Sequence, residues 1–359
     1  MKRTEIQFYR LLSQQICGTG FSSADELVHW LGGIQAQDYS NAKWSIGVRI
    51  SSLDDERIEK SIHDKFIIRT WMFRGTLHFV DSGDSDWLLK LLANRILHAG
   101  EWRNRQLGLD KKILKNCLKL LDKILTDGLP HTREDITKGF HLKGMKVNGI
   151  MLSHILQYSA LNGQICFGPK EGSQFTYILL DQIPVKKHAK THEEALNELA
   201  FRYFRSHGPA TINDFIWWSG LSVKDAYIAL ENIKPKLMSD VFHDSKFWMT
   251  DHRETQEKKE GVHLLPAFDS YLIAYRDRSI YLDDMNTSKV ISQNGIFRPI
   301  IVCDGKIVGI WRRILKNGKL IVEAKNFSPA SGTLKNGIVK CAEQFAGYLK
   351  KELSEIIIK

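Results

Sequence analysis

Three times in the first 261 residues, a run of short helix-forming segments is closed by a pair of β-rich runs. That recurrence constrains the fold more than any other feature of the chain. In the first round, Ile6, Tyr9, Leu12 and Ile16 repeat at the 3–4 spacing of an amphipathic helix over residues 4–17. FSSADELVHWLGG then predicts a second helix, with Ser22 or Ser23 as N-cap and Asp25 and Glu26 in its first turn. Gly32 and Gly33 stop it, and an extended IQAQ follows. LDDERIEKSIHD predicts another helix, and FIIRTWMFRGTLHFV reads as two strands joined around Met72 to Gly75. The second round runs through SDWLLKLLANRIL, KKILKNCLKLLDKIL, HTREDITKGF capped by Thr132, and NGIMLSHILQYSALNG, and closes on QICFGPKEGSQFTYILL. The third spans HEEALNELAFRYFRSHGPATINDFIWWSGLSVKDAYIALENI, with Thr211 and Ser222 as caps. KLMSDVFHDSKFWMT and the polar ETQEKKEG are expected to supply its strands.

Helices closed by a strand pair are the order of a winged helix, a helix-turn-helix variant whose usual partner is double-stranded DNA. After GVHLLPAFDSYLIAYRDRS the pattern changes to short β-branched runs with Asp-Gly and Asn-Gly turns, then a terminal helix in GIVKCAEQFAGYLKKEL. The expected fold class is therefore α+β, three tandem winged-helix units followed by a small antiparallel β-barrel-like domain. The boundaries are 1–110 for the first winged-helix unit, 111–185 for the second, 186–261 for the third, and 262–359 for the barrel-like domain with its helix.

A chain of 359 residues exceeds one ordinary core, and its 43% hydrophobic and 26% charged residues are those of a globular protein. The formal charge of +10 favours a polyanionic partner, because each phosphate neutralised releases counterions. Charge alone does not choose between DNA, RNA and a membrane surface. The five cysteines at 17, 117, 166, 303 and 341 form no C-x-x-C pair, which fits a reducing cytoplasm and neither a zinc ribbon nor a redox pair. MKRTEIQFYRLLSQQI lacks the apolar core of a signal peptide, and no apolar run reaches the ~20 residues that span a bilayer. A cytoplasmic monomer is expected.

Three clusters could carry chemistry. In the extended GGIQAQD, a spacing of two puts Gln35 and Gln37 on one face. Two convergent carboxamides can orient a water, yet neither titrates near neutral pH, so such a site suits a reaction whose leaving group is already activated. The structural alternative is that both bond to nearby backbone. Asp38 is the titratable alternative, or simply the start of the next turn. RTWMFRGTLHF gathers Arg69, Arg74 and His78 on one hairpin, Arg74 near the tip, as phosphate contacts or as a solvated hairpin. In RDRS, Arg276 and Arg278 share a face if extended and could clamp a phosphate, unless Asp269 ties one of them internally. Trp311-Arg312-Arg313 reads as a hairpin with a buried Trp, Trp217-Trp218 as core, and the basic runs at 111 and 186 as helix faces or linkers. No H-E-x-x-H, zinc-deaminase or P-loop pattern occurs, so no metal and no nucleotide cofactor are expected.

GGIQAQD, RTWMFRGTLHF, HGPATINDFIWWSGL, LLPAFDSYLIAYRDR and DGKIVGIWRR, in that order, resemble the AlkZ-type winged-helix DNA glycosylases over most of the chain. The resemblance implies three tandem winged helices with a barrel-like domain, and excision of alkylated bases, in some members bases cross-linked between strands. It also implies a catalytic Gln-Φ-Gln motif, Φ being aliphatic; Gln35-Ala36-Gln37 matches it, with a small residue at Φ. Hydrolysis of alkylated purines in double-stranded DNA is the expected activity, with Gln35 and Gln37 catalytic and Arg69, Arg74, His78, Arg276 and Arg278 holding DNA. The competing expectation is a non-catalytic DNA-binding protein or regulator on the same winged helices. A third, an RNA-binding or structural role, finds no single-strand stacking pattern.

Overall fold

Helices α1 (Arg3–Ser13) and α2 (Ala24–Leu31), strand β1 (Ile34–Gln35) and helices α3 (Tyr39–Gly47) and α4 (Asp55–His63) lead into the hairpin β2 (Ile67–Trp71) and β3 (Leu77–Asp81). Helices α5 (Ser85–Gln106) and α6 (Lys111–Ile124), strand β4 (His131–Thr132), helices α7 (Arg133–Leu142) and α8 (Gly149–Leu161), and strands β5 (Ile165–Phe167) and β6 (Thr176–Leu179) follow. Next come α9 (His192–His207), α10 (Ile212–Ser219), α11 (Val223–Ile233) and the hairpin β7 (Met238–Phe242) and β8 (Ser245–Met249). The last part holds β9 (Val262–Leu265), α12 (Ser270–Ile273), α13 (Thr287–Val290), β10 (Ile300–Cys303), β11 (Lys306–Lys316), β12 (Lys319–Asn326), α14 (Gly332–Leu349) and β13 (Leu353–Ile358). The computed structural model describes residues 1–18, 20–184, 188–251 and 261–359. Most of ETQEKKEG and the start of the basic run at 186 lie outside the described residues.

Local chemistry places these elements. Ser23 caps α2 in a capping box with Glu26, Thr132 caps α7 with Asp135, and Thr211 caps α10 with Asp214, each filling N–H groups that a helix start leaves without a carbonyl. The Asp304-Gly305 and Asn317-Gly318 turns both have positive φ at both residues, as the tight hairpins they close require. Each of the three rounds of helices is followed by an antiparallel strand pair, β2–β3, β5–β6 and β7–β8.

Contacts divide the chain into two compact units, Ser61–Ala195 and Met1–Lys60 with Leu196–Lys359. The inserted unit has its own core, in which Leu114, Cys117, Leu121, Ile136, Phe140, Ile155 and Leu156 are buried. In the other unit a five-stranded sheet runs in the order β13-β12-β11-β10-β9. Two features depart from expectation. The sheet has two edge strands, so hydrogen bonding does not close it into a barrel. Its last strand is also parallel to its neighbour, because α14 carries the chain back before β13 begins. Helix α3 docks on this sheet and on α14. Its Trp44 donates to the Leu264 carbonyl at 2.8 Å and packs on Phe345 and Tyr348, with ring centroids 4.7 and 4.8 Å away.

Candidate active site

The Gln-Ala-Gln segment is short and fixed at both ends. Gly32 ends α2 in the left-handed conformation at φ 72°, and a Cβ there would meet the Trp218 ring at 3.2 Å, so glycine is needed for conformation and for space. Ile34, Gln35 and Ala36 are buried, the small Ala36 completely. The chain then bends, leaving Gln37 and Asp38 exposed. Asp38 caps α3, its Oδ1 accepting from the Asn41 N–H at 3.0 Å, which is the turn-starting role anticipated for it. The two glutamines thus differ in setting: Gln35 is 8% exposed and Gln37 reaches solvent.

Behind the segment, α3 is held by buried charges. The Asn41 side chain accepts from the Ala267 N–H at 3.4 Å, joining this segment to LLPAFD. Ser45 donates to Asp269 at 2.7 Å, and Arg49 grips both Asp269 oxygens at 2.8 and 2.9 Å. Burial alone would raise the Asp269 pKa, but the Arg49 charge and hydrogen bonds, with the Tyr271 N–H and Ser45, hold it below the usual carboxylate range. Asp269 therefore pairs with Arg49, and neither Arg276 nor Arg278 is its partner, which corrects the sequence alternative. On the other face of α3, Lys43 pairs with Asp55 at 2.8 Å and Glu59 at 2.6 Å, and Tyr39 donates to Glu59 at 2.7 Å.

The expected DNA-holding residues separate into open and committed groups. In the inserted unit, Arg69 is 4% exposed, its guanidinium 4.6 and 4.3 Å from the Phe167 and Phe175 ring centroids. It packs the hairpin against Phe167 of β5 and Phe175 just before β6, and little of it reaches the surface. His78 is 3% exposed, and burial, then the Arg74 charge, push its pKa down to about 3. A pKa that low keeps the ring neutral near pH 7, and its Nδ1–H donates to the Thr76 carbonyl at 3.0 Å. Arg74 does lie at the hairpin tip, partly exposed and in the left-handed region at φ 55°. Such a conformation costs a non-glycine residue about 1–2 kcal/mol. The adjoining Gly75 has φ 77°, and its carbonyl accepts from Gln157 at 3.1 Å.

In the other unit, residues 276–278 are not a strand. Arg276 is exposed, whereas Arg278 donates to the Leu272 carbonyl at 2.9 Å and lies over Trp217 and Phe297, its carbon 5.5 and 5.3 Å from their centroids. Arg276 and Arg278 therefore do not share one face of an extended strand, the arrangement on which the sequence reading rested. Trp218 is core, as anticipated, but Trp217 is 41% exposed and donates to the Ile273 carbonyl at 3.0 Å. Trp311 is buried and donates to Leu265, within the expected hairpin. The sequence reading missed Arg10, Arg49 and Lys43, because a lone charge on an amphipathic helix reads as solvated. Only their fully or nearly buried positions reveal them.

With fold and segment in place, the comparisons are specific. Residues 28–348 match the family model described as DNA glycosylase AlkZ-like, so the chain belongs to the AlkZ-like DNA glycosylases and is an enzyme of that class. This sets aside the non-catalytic regulator. An "Interstrand DNA cross-link repair glycosylase" of Streptomyces sahachiroi is 28% identical over 317 residues, 80% of this chain and 82% of the relative. The solved structure of "Streptomyces sahachiroi DNA glycosylase AlkZ" matches with a TM-score of 0.83 at 23% identity, covering 100% of both chains. No helix among the described residues is long and apolar enough to cross a membrane.

Proposed function

We propose that this enzyme hydrolyses the N-glycosidic bond of alkylated purines in double-stranded DNA, including purines cross-linked between strands, with Gln35 and Gln37 holding the attacking water. The observation that carries this reading is the setting of Gln-Ala-Gln: two carboxamides pinned between a left-handed helix end and a helix cap. The carboxylate next in sequence, Asp38, uses its Oδ1 as that cap. A purine bearing a ring positive charge needs little base strength to leave. Its C1′–N bond breaks with the electron pair going to the base, which departs neutral. The water oxygen bonds to C1′ and its proton passes to solvent. Carboxamide oxygens that accept from the water orient its lone pair and favour the positive charge developing on the sugar. Exposed Gln37 is the group that meets the water, and buried Gln35 orients it from beneath.

The same reading takes the three rounds of helices as winged-helix units over 1–110, 111–185 and 186–261, with 262–359 as the barrel-like domain. Arg74 and Arg276 contact DNA phosphates, while Arg69, His78 and Arg278 support the elements that carry them. Five free cysteines support a cytoplasmic setting, and the protein acts as a monomer without metal.

Duplex DNA carrying N7-alkylguanine tests the proposal through abasic sites and free base. Gln37→Ala is expected to slow release by about 100-fold or more, in the range of one lost transition-state contact, with unchanged affinity for the duplex. Gln35→Ala is expected to fall similarly. Release unchanged in the double variant would end the water-holding role and turn attention to Asp38.

A further inference from the structure

The segment from Arg95 to Lys123 carries eight Lys and Arg against three Asp and Glu. That is half of the chain's formal charge of +10 in less than a tenth of its length. The segment spans the second half of α5 and nearly all of α6, both within the inserted unit. Two of its carboxylates are occupied. Glu101 pairs with Lys111 at 3.0 Å, and Asp110 caps α6 by accepting from the Ile113 N–H at 2.7 Å. Arg95, Arg105, Lys112, Lys115 and Lys119 are exposed, and none forms an ion pair with a described residue.

Among these cations stands Trp102, 64% exposed. Its ring stacks on no described residue and its indole N–H donates to none. Taken singly, an exposed indole is ordinary surface. Here Arg95, His98 and Arg105 lie seven and four residues before it and three after, spacings that bring side chains to one side of a helix. Beside that stripe is a cavity of about 600 Å³, lined by residues of α5 and α6. Leu97, Leu109 and Tyr158 give it an apolar lining, and Arg105 and Lys111 stand on the same wall.

We propose that this face binds single-stranded DNA, one unstacked base lying on Trp102 beside the cavity and the flanking phosphates on Arg95, Arg105, Lys112, Lys115 and Lys119. The charge selects a polyanion, and the open indole selects one whose flat rings are accessible. In an intact duplex the bases are stacked inside, so only its phosphates would meet this face. An acidic peptide offers the charge without the rings. No run of alternating aromatics and cations announces the site in the sequence, because α5 and α6 each contribute one side of it. The choice of DNA rests on the glycosylase reading above, but binding is measured without any lesion and involves neither Gln35 nor Gln37.

The full-length protein is titrated with a fluorescent oligothymidylate of about 12 nucleotides, an unmodified duplex of the same length, and polyglutamate. Trp102→Ala is expected to weaken single-strand binding about tenfold, the effect of one stacked base, and to leave duplex binding unchanged. Trp102→Phe is expected to recover most of that loss. Lys115→Gln/Lys119→Gln is expected to reduce the slope of log K against log salt on the single strand by about 1.4, two phosphates' worth. The charge-matched Lys335→Gln/Lys340→Gln pair on α14 is expected to leave that slope unchanged. Unaltered single-strand affinity in Trp102→Ala, or an equal loss on the duplex, would overturn the single strand as the occupant. Polyglutamate bound as tightly as the oligonucleotide would overturn a nucleic acid altogether. Wild-type protein that binds the single strand in this way but releases no base from any alkylated duplex would fail the alkylpurine reading while leaving this site standing.

Discussion

His78 shows how far a side chain's environment can move it from the role its type suggests. On paper an imidazole beside two arginines is a phosphate contact; in the fold it is a neutral donor to a carbonyl. His207, like His78, has its pKa pushed down to about 3, and His263 to about 4, by burial first and nearby cations second. Below pH 6.5 the unfolded chain takes up these protons while the folded chain does not, so stability falls as pH drops from 6.5 towards 3. Each such histidine removes about 2 kcal/mol between pH 7 and pH 5. The expected result is a Tm that falls over that interval, and by less in His78→Asn. An identical fall in that variant would show that His78 titrates normally. The Arg49–Asp269 pair gives a second prediction. Asp269→Ala leaves a buried guanidinium without its carboxylate and is expected to destabilise the fold by about 3–5 kcal/mol in urea titrations.

At the scale of elements, legibility in the sequence followed how a helix is buried. Helices α2, α7 and α10 were readable because their caps and one-sided apolar faces are local properties. Helix α3 was not, because Ala42, Lys43, Trp44, Ser45, Ile46 and Gly47 are all buried and no polar face remains to create a period. The final strand LSEIII was missed for a related reason: its partner, β12, is reached only after a whole helix. The Gln-Ala-Gln segment was visible as a pattern, but the opposite exposure of its glutamines comes from a bend that no local rule dictates. Gly47 in α3 supplies a test of this packing. A Cβ there would stand 2.4 Å from Tyr348, whose ring is held by Trp44 and Phe345 and whose hydroxyl is bonded to Asp55 at 3.0 Å. Gly47→Ala is therefore expected to lower stability by about 1–3 kcal/mol although alanine is the better helix former. A rise in Tm would mean that the helix does not approach Tyr348 so closely.

At the scale of the whole molecule, the sequence conveyed the succession of helices and strand pairs but not that residues 61–195 form a unit set inside another. Repeating local patterns carry no information about which rounds share contacts. Because the inserted unit encloses its own buried cluster, residues 61–195 expressed alone are expected to melt cooperatively by circular dichroism. A featureless melt would show that its core depends on the rest of the chain. The enclosing unit has a different timetable. Arg49 finds Asp269 220 residues later, and Trp44 finds Leu264 at the same separation. At ~5–20 residues per second of synthesis, the segment bearing Gln35 and Gln37 leaves the ribosome ~10–40 s before the residues that anchor α3 exist. The inserted unit can fold during that wait, so the Gln-Ala-Gln segment is among the first parts to be translated and the last to be assembled.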